Sequence, residues 1–175
     1  MDKSKCDFPA AGVLPHIQNH ADVLASWSMP PADQKTGLPL APHPSSLHQL
    51  MESAEQAAQN AYAPYSGFRV GAALLLTSGQ VVTGVNVENV SFGLTLCAER
   101  AALVQAVSQC GPAIRIAAVA IANLNDAPSP PCGACRQVLA EFILPDAPVL
   151  FPAENGPRTV PFSAVLPFAF EMKLK

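Results

Sequence analysis

The pattern of apolar and polar positions changes near residue 45. Before it no period of 2 or 3.6 is sustained, and seven of the chain's 18 prolines (Pro9, Pro15, Pro30, Pro31, Pro39, Pro42 and Pro44) interrupt helix and sheet alike. Residues 1–45 are expected to form an irregular Pro-rich extension, with at most a short helix within His16 to Met29. Its removal is expected to leave activity largely intact. Residues 46–175 are expected to form the folded domain.

From Ser45 onward apolar residues recur at helical spacing through Leu50, Met51, Ala54 and Ala57. Ser45 or Ser46 can cap this helix, which should run to about Ala61 before Pro64 and Gly67 break it. Arg69 to Leu76 and Val81 to Val87 read as strands joined by a hairpin turn at Ser78-Gly79. Asn89 to Thr95 reads as loop, and Cys97 to Ser108 combines helical spacing with strong helix formers. Ile114 to Ala122 is an apolar run of buried-strand length. Asn123 to Pro131 is loop, Gly133 to Phe142 a helix, and Pro148 to Phe151 a short strand. A last strand is expected near Thr159, followed by a short segment around Phe162 to Phe168. Helices alternate with strands after an opening hairpin, so the expected fold is α/β: a three-layer α/β/α domain with a five-stranded mixed sheet.

Composition narrows the function classes. Half of the 175 residues are hydrophobic and 13% are charged, enough for a substantial core. The formal net charge of −3 is a poor match for nucleic acid, whose binding rests on clustered Lys and Arg. No apolar stretch approaches the roughly 20 residues that span a bilayer. The N-terminus also lacks the continuous apolar run of a signal peptide. A cytoplasmic protein with neither nucleic-acid nor membrane partners is expected.

Five cysteines are an odd number, and in a reducing compartment they serve more often as ligands or catalytic groups than as disulfides. Cys6 falls in the extension, and Cys110 is expected to be a small, at least partly buried hydrophobe. The other three belong to two segments, Cys97-Ala98-Glu99-Arg100 and Pro131-Cys132-Gly133-Ala134-Cys135-Arg136-Gln137, each opening a predicted helix. Two cysteines three apart at one helix start and a third at another can close on one metal ion. Zinc prefers four tetrahedral ligands, and a catalytic zinc keeps one position for water. All four histidines (His16, His20, His43 and His48) lie in or just after the extension, so no fourth nitrogen ligand is near. Three protein ligands and one open position are expected, with one Zn²⁺ per subunit.

Helix starts favour thiolates through unpaired N–H groups and the macrodipole. Three thiolates on Zn²⁺ leave a net negative site, which Arg100 and Arg136 could offset by donating hydrogen bonds to sulfur. Glu99, in the first turn after Cys97, can reach a zinc-bound water without being a ligand and can move its protons.

These segments match the established signature of zinc base deaminases, Cys-x-Glu followed by Pro-Cys-x-x-Cys. From about Ala61 to Phe170 the chain resembles the small homotetrameric cytidine deaminases. The resemblance also covers Tyr65-Ser66-Gly67-Phe68-Arg69-Val70-Gly71-Ala72-Ala73, Gly84-Val85-Asn86-Val87-Glu88-Asn89 and Val165-Leu166-Pro167. It implies hydrolysis of cytidine and deoxycytidine to uridine and deoxyuridine, a pyrimidine-salvage reaction, in a homotetramer using nucleoside and water. It further implies that Asn86 and Glu88 hydrogen-bond the ribose 3′-hydroxyl, that Phe68 packs on the pyrimidine, and that the N–H of Ala98 donates to the base carbonyl. Read alone, Asn86 is a turn residue, Glu88 a solvated charge and Phe68 a core residue. Phe170 would reach a neighbouring subunit's site. Phe92 stands where relatives often carry Tyr, removing one hydroxyl toward the neighbouring nucleoside, and Pro130 replaces a usual Ser.

Three rivals remain in view, of which a polynucleotide-editing deaminase is disfavoured by the acidic balance and the lack of a basic, aromatic-rich strand. A deaminase of a cytosine-containing antibiotic such as blasticidin S would share the zinc motifs but should alter the Asn86 and Glu88 pair. A non-catalytic zinc-binding interaction module would explain the cysteines and leave Glu99 without a task.

Overall fold

The computed structural model describes residues 44–170. Residues 1–43 of the Pro-rich extension, with its candidate helix, Cys6, His16, His20 and His43, lie outside the described residues, while Pro44 and Ser45, assigned to the extension from sequence, open the first helix.

Helix α1 (Pro44–Ala58) begins ahead of the predicted serine cap. Proline suits the first turn, where its missing N–H would have no partner. The helix also stops three residues before Ala61, in a turn closed by the Asn60 N–H on Ala57 O. Strands β1 (Val70–Leu76) and β2 (Val81–Val85) form the predicted hairpin, with Gly79 in the left-handed region at φ 89°. After a 3₁₀ turn at Phe92–Leu94 come α2 (Ala98–Cys110), β3 (Ile116–Asn123), α3 (Gly133–Ala140), β4 (Pro148–Ala153), β5 (Gly156–Pro161) and the single turn α4 (Phe162–Val165).

The five strands lie in the order β2-β1-β3-β4-β5. The sheet is mixed, because β3 and β4 are parallel while the other neighbours are antiparallel. Strand period 2 splits β1 between two layers. Ala73 and Leu75 face Leu50, Met51 and Ala54 of α1, whereas Ala72, Leu74 and Leu76 face Ala102, Leu103 and Ala106 of α2. The sheet is thus flanked by α1 on one side and by α2, α3 and α4 on the other.

Two glycines set these layer distances. A side chain at Gly71 would collide with the α1 backbone at Ala54 O and Ala58 N. One at Gly84 would collide with α2 at Ala98 O and Ala102 N. Each helix therefore lies directly on the strand, the close approach that glycine permits.

β2 ends two residues short of the predicted Val87. Val87 instead forms isolated bridges to Tyr62 and to Leu96. This places residues 86–88 beside the segment that enters α2. Cys110 also differs from expectation. It is exposed, the last residue of α2 and off the buried stripe, and its Sγ lies 3.2 Å from Gln80 Oε1.

Candidate active site

The cysteine cluster sits at the end of the sheet where β3 and β4 reach their carboxyl ends, the usual side for sites in open α/β sheets. Cys97 is the N-cap of α2 (φ −74°, ψ 153°) and Cys132 the N-cap of α3 (φ −67°, ψ 162°). Neither side chain caps its own helix, so both thiols are free to point away from it. Their carbonyls accept the first helical bonds, from the N–H groups of Ala101 and Arg136, each at 3.0 Å. Cys135 lies one turn into α3 and is fully buried.

The three sulfurs lie within 4.8 Å of one another, and Cys97 Sγ is 4.0 Å from Cys132 Sγ. Two thiolates at tetrahedral angles on a zinc about 2.3 Å from each would stand about 3.8 Å apart. The cluster therefore fits the ion with little adjustment. Cys97, Cys132 and Cys135 are the one group of potential ligands found among the described residues, and they leave a tetrahedral ion one open position.

Electrostatics distinguish these thiols. A hydrogen bond from Cys135 and the Arg100 guanidinium hold the Cys97 thiol down to about 5, against the effect of burial. The same hydrogen bond, with burial, pushes Cys135 up. Arg100 Nη2 donates to Cys97 Sγ at 3.5 Å and to Thr95 O at 3.0 Å. Arg136 departs from its expected role: its guanidinium donates to Pro131 O at 2.6 Å and Val165 O at 3.0 Å, with no bond to sulfur. Two carbonyls each take one of its five N–H donors. The residue thus ties the loop before Cys132 to the chain after α4.

Glu99 is 4% exposed, on the buried stripe of α2 with Ala102, Leu103 and Ala106. Burial raises its carboxyl above the ordinary glutamate range, and the neighbouring Cys97 charge adds to this. Ala98 is fully buried, and its N–H, at the first position of α2, has no partner within the helix.

Asn86 and Glu88 both face the loop before β1. The Asn86 amide accepts from the Val70 N–H and donates to Phe68 O, both at 2.8 Å. Glu88 accepts from the N–H groups of Tyr65 at 2.9 Å and Ser66 at 3.3 Å, and from the Ser66 hydroxyl at 2.5 Å. The Ser66 hydroxyl and then the Tyr65 N–H hold its carboxyl below the usual range. Phe68 is half-buried between these anchors. Phe92 and Phe170 are exposed; Phe92 meets Tyr65 edge-on, ring centroids 6.2 Å apart.

Sequence reasoning gave no role to Asn123 and Asn125. Asn125 accepts from the Arg69 N–H and donates to Gly67 O. Asn123 donates to Ala127 O and Ser129 Oγ, and so shapes the loop leading to Cys132. Two asparagines in a turn-rich segment after a strand are the signal for such side-chain-to-backbone bonding.

Fold and cluster together define an α/β/α protein with a three-cysteine cluster that could hold a metal ion. The zinc-binding region of the cytidine and deoxycytidylate deaminases matches residues 44–150. The cytidine deaminase of Halalkalibacterium halodurans is 48% identical over 124 residues, covering 69% of this chain and 91% of that protein. The cytidine deaminase of Mycobacterium tuberculosis is 51% identical over 106 residues, 58% of this chain and 78% of that one. The crystal structure of cytidine deaminase from Burkholderia pseudomallei superposes with a TM-score of 0.64 at 44% identity, over 70% of this chain and 98% of that one. The chain belongs to the cytidine and deoxycytidylate deaminase family.

Proposed function

We propose that this protein hydrolyses cytidine and deoxycytidine to uridine and deoxyuridine, releasing ammonia, as a zinc-dependent cytidine deaminase of pyrimidine salvage. The observation that carries the reading is the buried carboxyl of Glu99 in the helical turn that follows Cys97. It stands with three sulfurs that leave one coordination position open. The relatives' activity supports it.

Bound by Cys97, Cys132 and Cys135, one zinc per subunit supplies a water acidified toward neutral pH. The remaining chemistry belongs to the side chains. Glu99, its proton affinity raised by burial, takes one proton of the water as its oxygen adds to C4 of the pyrimidine and passes it to N3; it then takes the remaining proton of the C4 hydroxyl as the carbonyl forms and delivers it to the departing amine, which leaves as ammonia. The Ala98 N–H holds the base carbonyl and Phe68 packs on the ring. Asn86 and Glu88 hold the ribose 3′-hydroxyl. Arg100 compensates the thiolate charge by donating to Cys97.

Val90, Phe92 and Leu94 are each more than 70% exposed on the loop beside the site, as is Phe170 near the end of the described chain. Apolar groups gathered there support a homotetramer in which neighbouring subunits cover the sites. Among the described residues no helix is long and apolar enough to cross a membrane.

Ultraviolet-monitored turnover of cytidine and deoxycytidine, with blasticidin S and adenosine alongside, tests the assignment. Turnover of the two cytosine nucleosides is expected. Activity on blasticidin S alone transfers the reading to an antibiotic deaminase, and inactivity on all four with zinc bound leaves a zinc-binding module.

A further inference from the structure

Ser66 joins two groups that the reading above assigns to opposite ends of the nucleoside. Its Oγ accepts the N–H of Phe68 at 2.9 Å, the residue placed on the base. Having accepted there, the hydroxyl has one proton to donate, and it goes to Glu88 Oε1 at 2.5 Å. Hydroxyls that accept while donating are polarised into stronger donors.

An ionised carboxylate offers about four acceptor positions. On Glu88, Oε2 takes two N–H donors, from Tyr65 and Ser66, and Oε1 takes the Ser66 hydroxyl. One position remains, on Oε1. A carboxylate free to turn would offer either oxygen over a range of directions, whereas here three donors from one tight loop fix the plane and leave a single acceptor. The cause of the lowered Glu88 carboxyl agrees, since the Ser66 hydroxyl is the largest contributor.

We infer that Ser66 is a positioning residue that aims the one open acceptor of Glu88 at a sugar hydroxyl, and so sets the preference for substrates that carry it. The inference rests on the cytidine deaminase reading and on Glu88 as the ribose contact. Removing the Ser66 hydroxyl leaves Oε1 with two open positions and the carboxylate held only at Oε2, by the Tyr65 and Ser66 N–H groups, so it can turn about that edge and the sugar hydroxyl binds less well. The base contact also loosens, because the Phe68 N–H loses its acceptor, but that loss is common to nucleosides with and without the sugar hydroxyl.

The test compares cytidine with 3′-deoxycytidine on wild-type protein, Ser66→Ala and Ser66→Thr, all matched for zinc content. Wild type should favour cytidine in kcat/KM. Ser66→Ala should lose about tenfold of that preference, near the lower end for a hydrogen bond to a charged group, over and above the loss on 3′-deoxycytidine, which reads the Phe68 N–H left without its acceptor. Ser66→Thr, which keeps a hydroxyl at an exposed position, should restore the preference. Equal loss on both nucleosides in Ser66→Ala would mean a structural role only and overturn the inference. So would an unchanged preference, or a wild type indifferent to the 3′-hydroxyl. A wild type that turns over neither nucleoside instead overturns the cytidine deaminase reading, and the inference with it.

Discussion

Cys97 Sγ and Cys132 Sγ stand 4.0 Å apart across 35 residues of chain. Each is the N-cap of a different helix, and the buried strand β3 runs between them. Their meeting point is therefore a product of the packed sheet, and a metal held there ties α2 to α3.

Cys132→Ala should cost both metal and stability, because metal binding and folding free energy are linked. Zinc content by atomic absorption should fall well below one per chain, with a lower melting temperature. Full zinc retention would remove Cys132 from the ligand set.

Glu99→Gln keeps the shape of a buried side chain and removes its ability to carry a proton. Zinc content and nucleoside binding should persist while kcat falls at least about a hundredfold, the scale of a lost general acid/base. Turnover close to wild type would show that the protons travel elsewhere.

In metal-free protein the Cys97 thiol should titrate near 5. A depressed value means the thiolate is present at neutral pH and is lost as pH falls through about 5, well below an ordinary thiol. Residue-resolved alkylation by iodoacetamide across pH 4 to 9 reads this directly, since the thiolate is the nucleophile. Arg100→Gln should move the midpoint upward. Alkylation of Cys97 that rises only near the ordinary thiol range would contradict the environment described.

Gly84→Ala should push α2 away from β2, because the added methyl meets Ala98 O and Ala102 N. Overpacking of this kind costs on the order of 1–3 kcal/mol. Since α2 carries Cys97 and Glu99, chemical denaturation should show the loss of stability together with weaker zinc retention. A variant as stable as wild type would mean that α2 has room to move.

The clustering of both cysteine segments was legible in the sequence because each is a local pattern: a cap residue, a helix start and an i, i+3 pair need no knowledge of the fold. The strands of β1 to β4 were legible for the same reason, as apolar runs bounded by turn residues. What escaped depends on distant chain meeting in space. Glu88 looks like a solvated charge until Tyr65 and Ser66 are seen to donate to it. Arg136 looks like a sulfur donor until its guanidinium is seen donating to Pro131 O and Val165 O. Cys110 sits on an apolar-looking helix, and only the direction of the buried stripe shows that it faces solvent. Gly71 and Gly84 read as ordinary strand glycines, and only the neighbouring helix backbones explain them.

The most direct test of the central claim is cytidine turnover by protein stripped of metal and then titrated with zinc. Activity should be absent in the stripped protein and rise in proportion to added zinc, levelling at one equivalent per chain. Turnover indifferent to zinc, or none at one bound equivalent, would contradict a deaminase built on Cys97, Cys132, Cys135 and Glu99.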